Sequence, residues 1–351
     1  MKMMPLKIGN LVAKFPIIQG GMGVGVSRWR LAGAVAREGG IGIISTAQIG
    51  YDEPDFDKHQ IDTNLIAIKK HITLAKQNAE GGIVGVNIMV ATKQYERYIK
   101  AACEGGADVI ISGAGLPITL PELVSGYDTK IAPIVSSRRA ADVILRMWDR
   151  KYQTTADFIV IEGPRAGGHL GFTKEQLDRI DELDYDAEIK SIIECTKGYE
   201  EKYQRKIPVI VAGGIFDRED IKHVLSLGAD GVQIATRFVV TEECDASEAY
   251  KQAYLDAKKE DIRIVISPVG MPGRAIMTSF MENVGCARIP VKKCFHCLEH
   301  CNPKDTPYCI TKALIEAVKG NIKEGLVFCG DNVHRLKEMT TVKAIFEELV
   351  F

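Results

Sequence analysis

Two sets of residues in this chain have the types and spacings that chemistry requires. The first is a series of glycine-rich stretches: Gln19-Gly20-Gly21-Met22-Gly23, Ser112-Gly113-Ala114-Gly115, Gly163-Pro164-Arg165-Ala166-Gly167-Gly168-His169 and Ala212-Gly213-Gly214-Ile215. Lacking a side chain, glycine lets backbone N–H groups close on an anion. Any one such stretch, taken alone, is an ordinary tight turn. The third carries His169, whose imidazole can take a proton, or donate one when charged, near neutral pH. Glu162 stands just before it, and a carboxylate that steadies the loop is a better reading of it than direct chemistry.

The second set is Cys294, Cys297, Cys301 and Cys309, in the pattern C-x2-C-x3-C-x7-C. Soft thiolates suit iron–sulfur clusters or zinc. Zinc ribbons usually pair two C-x2-C knuckles at wide separation. This array is compact and asymmetric, closer to four-cysteine iron–sulfur sites. The spacing therefore predicts a [4Fe–4S] cluster, with zinc as the alternative and unligated thiols as the remaining reading. His296, His300 and Cys286 are substitute ligands, and Lys292, Lys293 and Lys304 would offset the charge of a thiolate-bound cluster. In a reducing compartment, such a grouping points to a metal in preference to disulfides.

These residues need a frame. Eight short runs read as strands: 15–19, 42–44, 83–89, 109–112, 130–135, 158–162, 209–212 and 231–234. Most are too apolar to alternate, as expected of parallel strands covered on both faces. Helical patterns fall at 27–38, 62–79, 92–104, 117–123, 138–149, within 188–205, and at 218–227, with Ser27, Thr92 and Asp217 as expected N-caps. Gly106-Ala107-Asp108 and Gly228-Ala229-Asp230 end helices and lead into strands. Eight such units predict an α/β fold, a (β/α)8 TIM barrel over residues 1–260, with a doubly wound open sheet as the alternative. Residues 261–351 are expected to form a C-terminal cysteine-rich extension, with helices near 311–319 and 341–349 packed on the barrel. Segments 48–60 and 163–186 fall outside the repeat.

In such a barrel the loops after the strands carry function, and those after strands seven and eight usually cradle a phosphate. Here these are residues 212–215 and Ile234-Ala235-Thr236-Arg237, with the Thr236 hydroxyl assisting. Lys plus Arg total 45 against 46 for Asp plus Glu, so nothing electrostatic favours nucleic acid or a membrane surface as a partner. No apolar run reaches the ~18 residues of a membrane span, and residues 1–10 hold no signal-peptide core. A cytoplasmic protein is expected.

Six stretches together resemble one family: Pro16-Ile17-Ile18-Gln19-Gly20-Gly21-Met22; Val86-Asn87-Ile88-Met89; Ser112-Gly113-Ala114-Gly115; Glu162-Gly163 followed by Ala166-Gly167-Gly168-His169-Leu170-Gly171; Ala212-Gly213-Gly214-Ile215; and Gly231-Val232-Gln233-Ile234-Ala235-Thr236-Arg237-Phe238. In this order they resemble the nitronate monooxygenase (2-nitropropane dioxygenase) and type II enoyl-ACP reductase family of FMN-dependent barrels. The resemblance implies FMN at the C-terminal mouth of the barrel. It places Gly20, Gly21 and Met22 near the flavin ring, with Asn87 and Ser112 beside it. Gly167 and Gly168 fall near the flavin or its phosphate, and Gly213, Gly214, Gln233 and Thr236 at the phosphate end. Glu162, Ala212 and Ala235 are counted with these contacts. At Ala235 the family usually has glycine, so an extra methyl group shifts that contact slightly. His169 lies over the substrate side of the flavin, as base or hydrogen-bond donor.

Two activities follow from that family: oxidation of alkyl nitronates, and NAD(P)H-dependent reduction of an enoyl thioester. The shared motifs do not choose between a small-molecule and an acyl-thioester substrate. The thiol cluster favours the reductive course, and the general family label favours the first. A homodimer is left open. Outside this reading stand a flavin/metal redox sensor or electron-transfer module, and a barrel that binds a sugar phosphate. Arg274 reads either as a contact for a phosphate of NADPH or of a carrier-bound substrate, or as a surface arginine. Trp29 and Trp148 read as packing residues.

Overall fold

The computed structural model describes residues 3–268 and 270–351; Met1 and Lys2, at the head of the N-terminal reading, lie outside the described residues. A hairpin of β1 (Leu6–Ile8) and β2 (Leu11–Ala13) precedes the repeat. Parallel strands β3 (Ile17–Gln19), β4 (Ile41–Ser45), β5 (Ile83–Met89), β6 (Val109–Gly113), β7 (Lys130–Val135) and β8 (Ile159–Glu162) follow. Past the two-residue β9 (Gly168–His169) come β10 (Val209–Ala212) and β11 (Gly231–Ile234). β11 pairs back onto β3, so the eight strands β3–β8, β10 and β11 close a ring and the open-sheet alternative falls.

The ring's apolar faces explain why its strands do not alternate. Ile18, Ile43, Ile111, Val160 and Ile210 belong to one buried cluster with Phe158, while Ile17, Ile44, Val86, Ile110, Ile161 and Val211 belong to a second. That second cluster also holds the buried faces of the helices α1 (Trp29–Arg37), α2 (Gln60–Asn78), α3 (Tyr95–Glu104), α4 (Leu120–Leu123) and α5 (Arg138–Tyr152). A strand between a packed interior and a helical layer has no wet side, so neither face needs polar residues. Trp148 packs in this layer, fully buried, with its indole N–H donating to the Pro117 carbonyl at 3.0 Å. After β8 come α6 (Lys174–Asp178), α7 (Tyr185–Tyr203), α8 (Arg218–Ser226) and α9 (Thr236–Val239).

Helix starts separate local from tertiary control. Asp217 caps α8 as expected: its carboxylate accepts the Glu219 and Asp220 amides, and Asp220 accepts the Asp217 amide in return. Ser27 and Thr92 do not cap. The Ser27 hydroxyl instead accepts the Met22 amide at 2.7 Å, tying the first glycine loop, and α1 begins after Arg28. Thr92 forms a backbone bridge to Leu298, and α3 begins after Gln94. Gly106 (φ +80°) and Gly228 (φ +103°) end their helices in the left-handed region.

The C-terminal part contains α10 (Glu248–Asp256), β12 (Ile262–Ile266), β13 (Pro272–Ile276), α11 (Ser279–Cys286), α12 (Ile310–Lys319), β14 (Val327–Phe328) and α13 (Val342–Leu349). β12, β13 and β14 make an antiparallel sheet, and β9 from the barrel loop joins it through β13. α13 lies on the barrel: Val342, Ile345, Phe346 and Leu349 are buried in the main core. The Phe346 ring sits 6.0 Å from that of Phe15 and 6.2 Å from that of Phe238. Among the described residues no helix is long and apolar enough to cross a membrane.

Truncating Phe346 opens a cavity that its neighbours only partly fill. Phe346→Ala is expected to lower the unfolding free energy by about 3–5 kcal/mol, measured from the shift in urea midpoint at unchanged slope. An unchanged midpoint would show that α13 does not share the barrel's core.

Candidate active site

The loops after the barrel strands enclose a cavity of about 460 Å³. The loop after β3 brings Gly20, Gly21 and Met22 to its wall, and β5 brings Asn87. Gln19, fully buried, accepts the Ile43 amide at 3.1 Å and donates to the Gly20 carbonyl, which holds this loop against β4. From β8 and its loop come Glu162, Gly167, Gly168 and His169. From β10 and β11 and their loops come Ala212, Gly213, Gly214, Gln233, Ala235 and Thr236. Ser112 is the exception. Its hydroxyl donates to the Ile88 carbonyl at 2.7 Å and bonds the Tyr95 hydroxyl at 2.9 Å, fully buried behind the wall. It holds neighbouring elements together and does not face the cavity.

The turn after β10 admits only glycine. Gly213 and Gly214 have φ of +92° and +93°, and a Cβ on Gly213 would stand 2.8 Å from the Gly163 carbonyl oxygen. Two successive residues of this kind make a concave backbone of the sort that receives anionic oxygens. The Asn332 amide donates to the Gly214 carbonyl at 2.7 Å, steadying the turn from outside.

His169 is placed by the C-terminal sheet. As part of β9 it pairs in register with Gly273, and Gly168 pairs with Arg274. Its ring lies against Phe328, centroids 5.2 Å apart and tilted by 58°. Nε2 is buried and has no hydrogen-bond partner. Burial lowers the imidazole pKa to about 4. The ring is therefore neutral at physiological pH. That corrects the expectation of a histidine that donates a proton as imidazolium near neutrality. Glu162 shifts the other way: burial raises its pKa to about 7. A side chain read as a loop-steadying carboxylate is thus a half-protonated acid on the cavity wall.

Arg274 is neither at the surface nor free for a phosphate. It is buried, and its Nη1 donates to the Pro164 carbonyl at 2.9 Å and the Ala166 carbonyl at 2.5 Å. Asp331 lies 3.7 Å from its Nε and also pairs with Arg165 at 2.5 Å, while Arg165 reaches Asp181 at 2.5 Å. Residues 328–330 complete the wall, as do Tyr250 and Tyr254. The Tyr254 hydroxyl donates to the Phe328 carbonyl. Sequence reasoning missed this strap; no spacing rule links residues 250–254 and 328–332 to a loop about residue 165.

Of the four cysteines Cys297 alone lines the cavity. Among the described residues no three His, Cys, Asp or Glu side chains converge as single-ion ligands. Neither the expected [4Fe–4S] cluster nor the zinc alternative therefore has a formed ligand group among the described residues. Cys297 and Cys301 instead pack against the apolar cluster that holds Leu298, Tyr308 and Ile310.

Comparison with known proteins places this arrangement. A "Probable nitronate monooxygenase" of Bacillus subtilis is 23% identical over 372 residues, covering 95% of this chain and 94% of the relative. The structure of FabK from Thermotoga maritima superposes with a TM-score of 0.71 at 25% identity, covering 96% of this chain and 92% of that one. Nitroalkane oxidase from Streptomyces ansochromogenes shares the fold, with a TM-score of 0.73 at 19% identity over 96% of this chain and 95% of its own. The protein is thus an oxidoreductase, which sets aside a signalling module without a substrate and a sugar-phosphate barrel. The family model described as nitronate monooxygenase matches residues 5–351, and the chain belongs to that family.

Proposed function

We propose that this chain is an FMN-dependent oxidoreductase that oxidises small alkyl nitronates. The observation that carries the reading is the buried, unpartnered Nε2 of His169 in the same cavity as the Gly213–Gly214 turn. A buried polar atom without a partner is costly, and a ligand that bonds it removes the cost. The donor set fits FMN. Gly213, Gly214, Gln233, Ala235 and Thr236 would hold its phosphate end, and Gly20, Gly21, Met22 and Asn87 would hold its ring. Bound there, FMN supplies the electron-transfer chemistry, and the protein supplies placement and electrostatics.

The chain's own residues then have distinct tasks. Neutral His169 offers a donor on one ring nitrogen and an acceptor on the other. It orients the nitronate oxygens, or takes a proton, without a fixed charge in the cavity. Met22, Leu298, Ile310 and Leu314 line the cavity with apolar surface that excludes water. Glu162 sets the local field: protonated, it tolerates an anionic substrate, and ionised, it repels one.

A second reading is NAD(P)H-dependent reduction of an enoyl thioester. The apolar wall of Leu298, Ile310 and Leu314 favours it, because it offers an acyl chain a surface. The likeness to FabK supports it as well. Stopped-flow oxidation of the anaerobically reduced enzyme separates the two: turnover of nitronate with oxygen uptake supports the first, and reoxidation by crotonyl thioester alone overturns it.

Three outcomes are expected. Gly213→Ala forces a Cβ into the Gly163 carbonyl, so purified protein should carry at most a tenth of the wild-type flavin by absorbance, about 1.4 kcal/mol or more of lost binding. His169→Asn should keep its flavin yet lose on the order of a hundredfold in kcat/KM; near wild-type turnover would remove His169 from the chemistry. With a preformed nitronate, kcat/KM should fall as pH rises through about 7, where Glu162 ionises. Glu162→Gln should flatten that fall and His169→Asn should leave it in place; the reverse pattern would assign the titration to the histidine.

A further inference from the structure

The loop after β4 carries a side chain that is braced at one end and free at the other. Residues 48–60 lie outside the barrel repeat, yet Gln48 lines the cavity while only 6% exposed. The loop is tied to the wall that would hold the flavin ring. The Thr46 amide and hydroxyl both donate to the Asn87 carbonyl, at 3.2 and 3.0 Å. A Cβ on Gly23 would stand 2.8 Å from that of Ala47, so this loop packs directly on the first glycine loop.

A relay of amides orients the Gln48 carboxamide. The Gly50 backbone N–H donates to Asn64 Oδ1 at 2.9 Å, and Asn64 Nδ2 donates to Gln48 Oε1 at 3.1 Å. A backbone N–H can only donate, so it settles which end of Asn64 is oxygen, and Asn64 in turn settles the same for Gln48. Asn64 is 1% exposed, which keeps water from competing for the brace. The Gln48 oxygen is thereby engaged, and Nε2 makes no hydrogen bond among the described residues. The backbone points the same way. Gln48 has a φ of +47°, in the left-handed region that glycine enters freely and other residues seldom do. Such strain gathers where a side chain is held for a task. The Nε2 hydrogens are thus donors without an acceptor, on a carboxamide whose other end is fixed, in a residue of the cavity wall.

We propose that Gln48 is a substrate-binding residue whose Nε2 donates to an oxygen of the nitronate. The inference rests on the nitronate reading of this cavity. A nitronate is an anion with two acceptor oxygens in one plane. Neutral His169 meets it with a single N–H, and Gln48 adds a second donor without adding a charge. Donors from two elements fix the plane of the anion as one alone does not. The carboxamide neither gains nor loses a proton, so it orients the substrate and leaves proton transfer to others.

Gln48→Glu tests this, because it keeps the oxygen that Asn64 requires and replaces the N–H donor by a second oxygen. Two quantities are measured on the flavin-loaded full chain: kinetics with the nitronate of nitroethane, and the Kd of propionate, an unreactive anion with the same two-oxygen end, from flavin absorbance. FMN content should match wild type. KM and the propionate Kd should each rise about tenfold or more at neutral pH. That deficit against wild type should shrink as pH falls and the introduced carboxyl, once protonated, donates again. If this variant does not fold, Gln48→Met, similar in length and without the N–H, takes its place with the same rise in KM and Kd expected. Unchanged KM and Kd in a variant that keeps its FMN overturn the assignment. So does lost FMN or a shifted flavin spectrum with propionate affinity intact, which would put the donor on the flavin. Weakened propionate binding in the variant, beside a wild type that does not turn over nitronate, sustains the donor and defeats the nitronate reading instead.

Discussion

Backbone pairing between Gly168–His169 and Gly273–Arg274 decides where the imidazole stands, and with it the geometry of the whole cavity. A glycine-rich loop loses more conformational entropy on folding than any other kind, so its shape must be imposed from outside. Two constraints do so. The short antiparallel pairing fixes the end of the loop, and the buried Arg274 guanidinium gathers the Pro164 and Ala166 carbonyls at its middle. Asp331 balances the buried charge and links Arg165 to the same network. A buried arginine without these partners would be strongly destabilising, so the clamp and the loop depend on each other.

That network makes the C-terminal sheet part of the site. Phe328 supports the His169 ring, Asn332 braces the turn at Gly214, and Gly330 lies so close to Thr236 that a Cβ there would stand 2.6 Å from its hydroxyl. The strap thus touches the loops after β8, β10 and β11 together. Electrostatics follow from the same enclosure. Burial holds His169 neutral and Glu162 near half-protonation, so the cavity presents hydrogen-bonding groups with little fixed charge. Such an interior suits a flavin, whose reactivity the protein tunes chiefly through placement and local field.

Much of this was legible in the residues. All eight barrel strands lie where apolar runs without alternation put them, because parallel strands with two dry faces leave that mark. The glycine stretches, His169 and the residues after β10 and β11 line one cavity, because in a barrel all the loops after strands open on one rim. The misreadings share a cause. Ser27, Thr92, Ser112 and Arg274 are polar residues with several partners to choose from: Ser27 took one within its own loop, and the other three took partners distant in sequence or across strands.

The sequence by itself determined the barrel, the rim on which chemistry occurs and the backbone that only glycine permits, since these rest on local preference and on a strict repeat. The tertiary structure alone decided that His169 is neutral, that Glu162 titrates near neutrality and that Arg274 is a clamp. It also decided that residues 328–330 wall the cavity. Burial and long-range pairing set all of these, and neither can be read from spacing, because both depend on what the rest of the chain brings alongside.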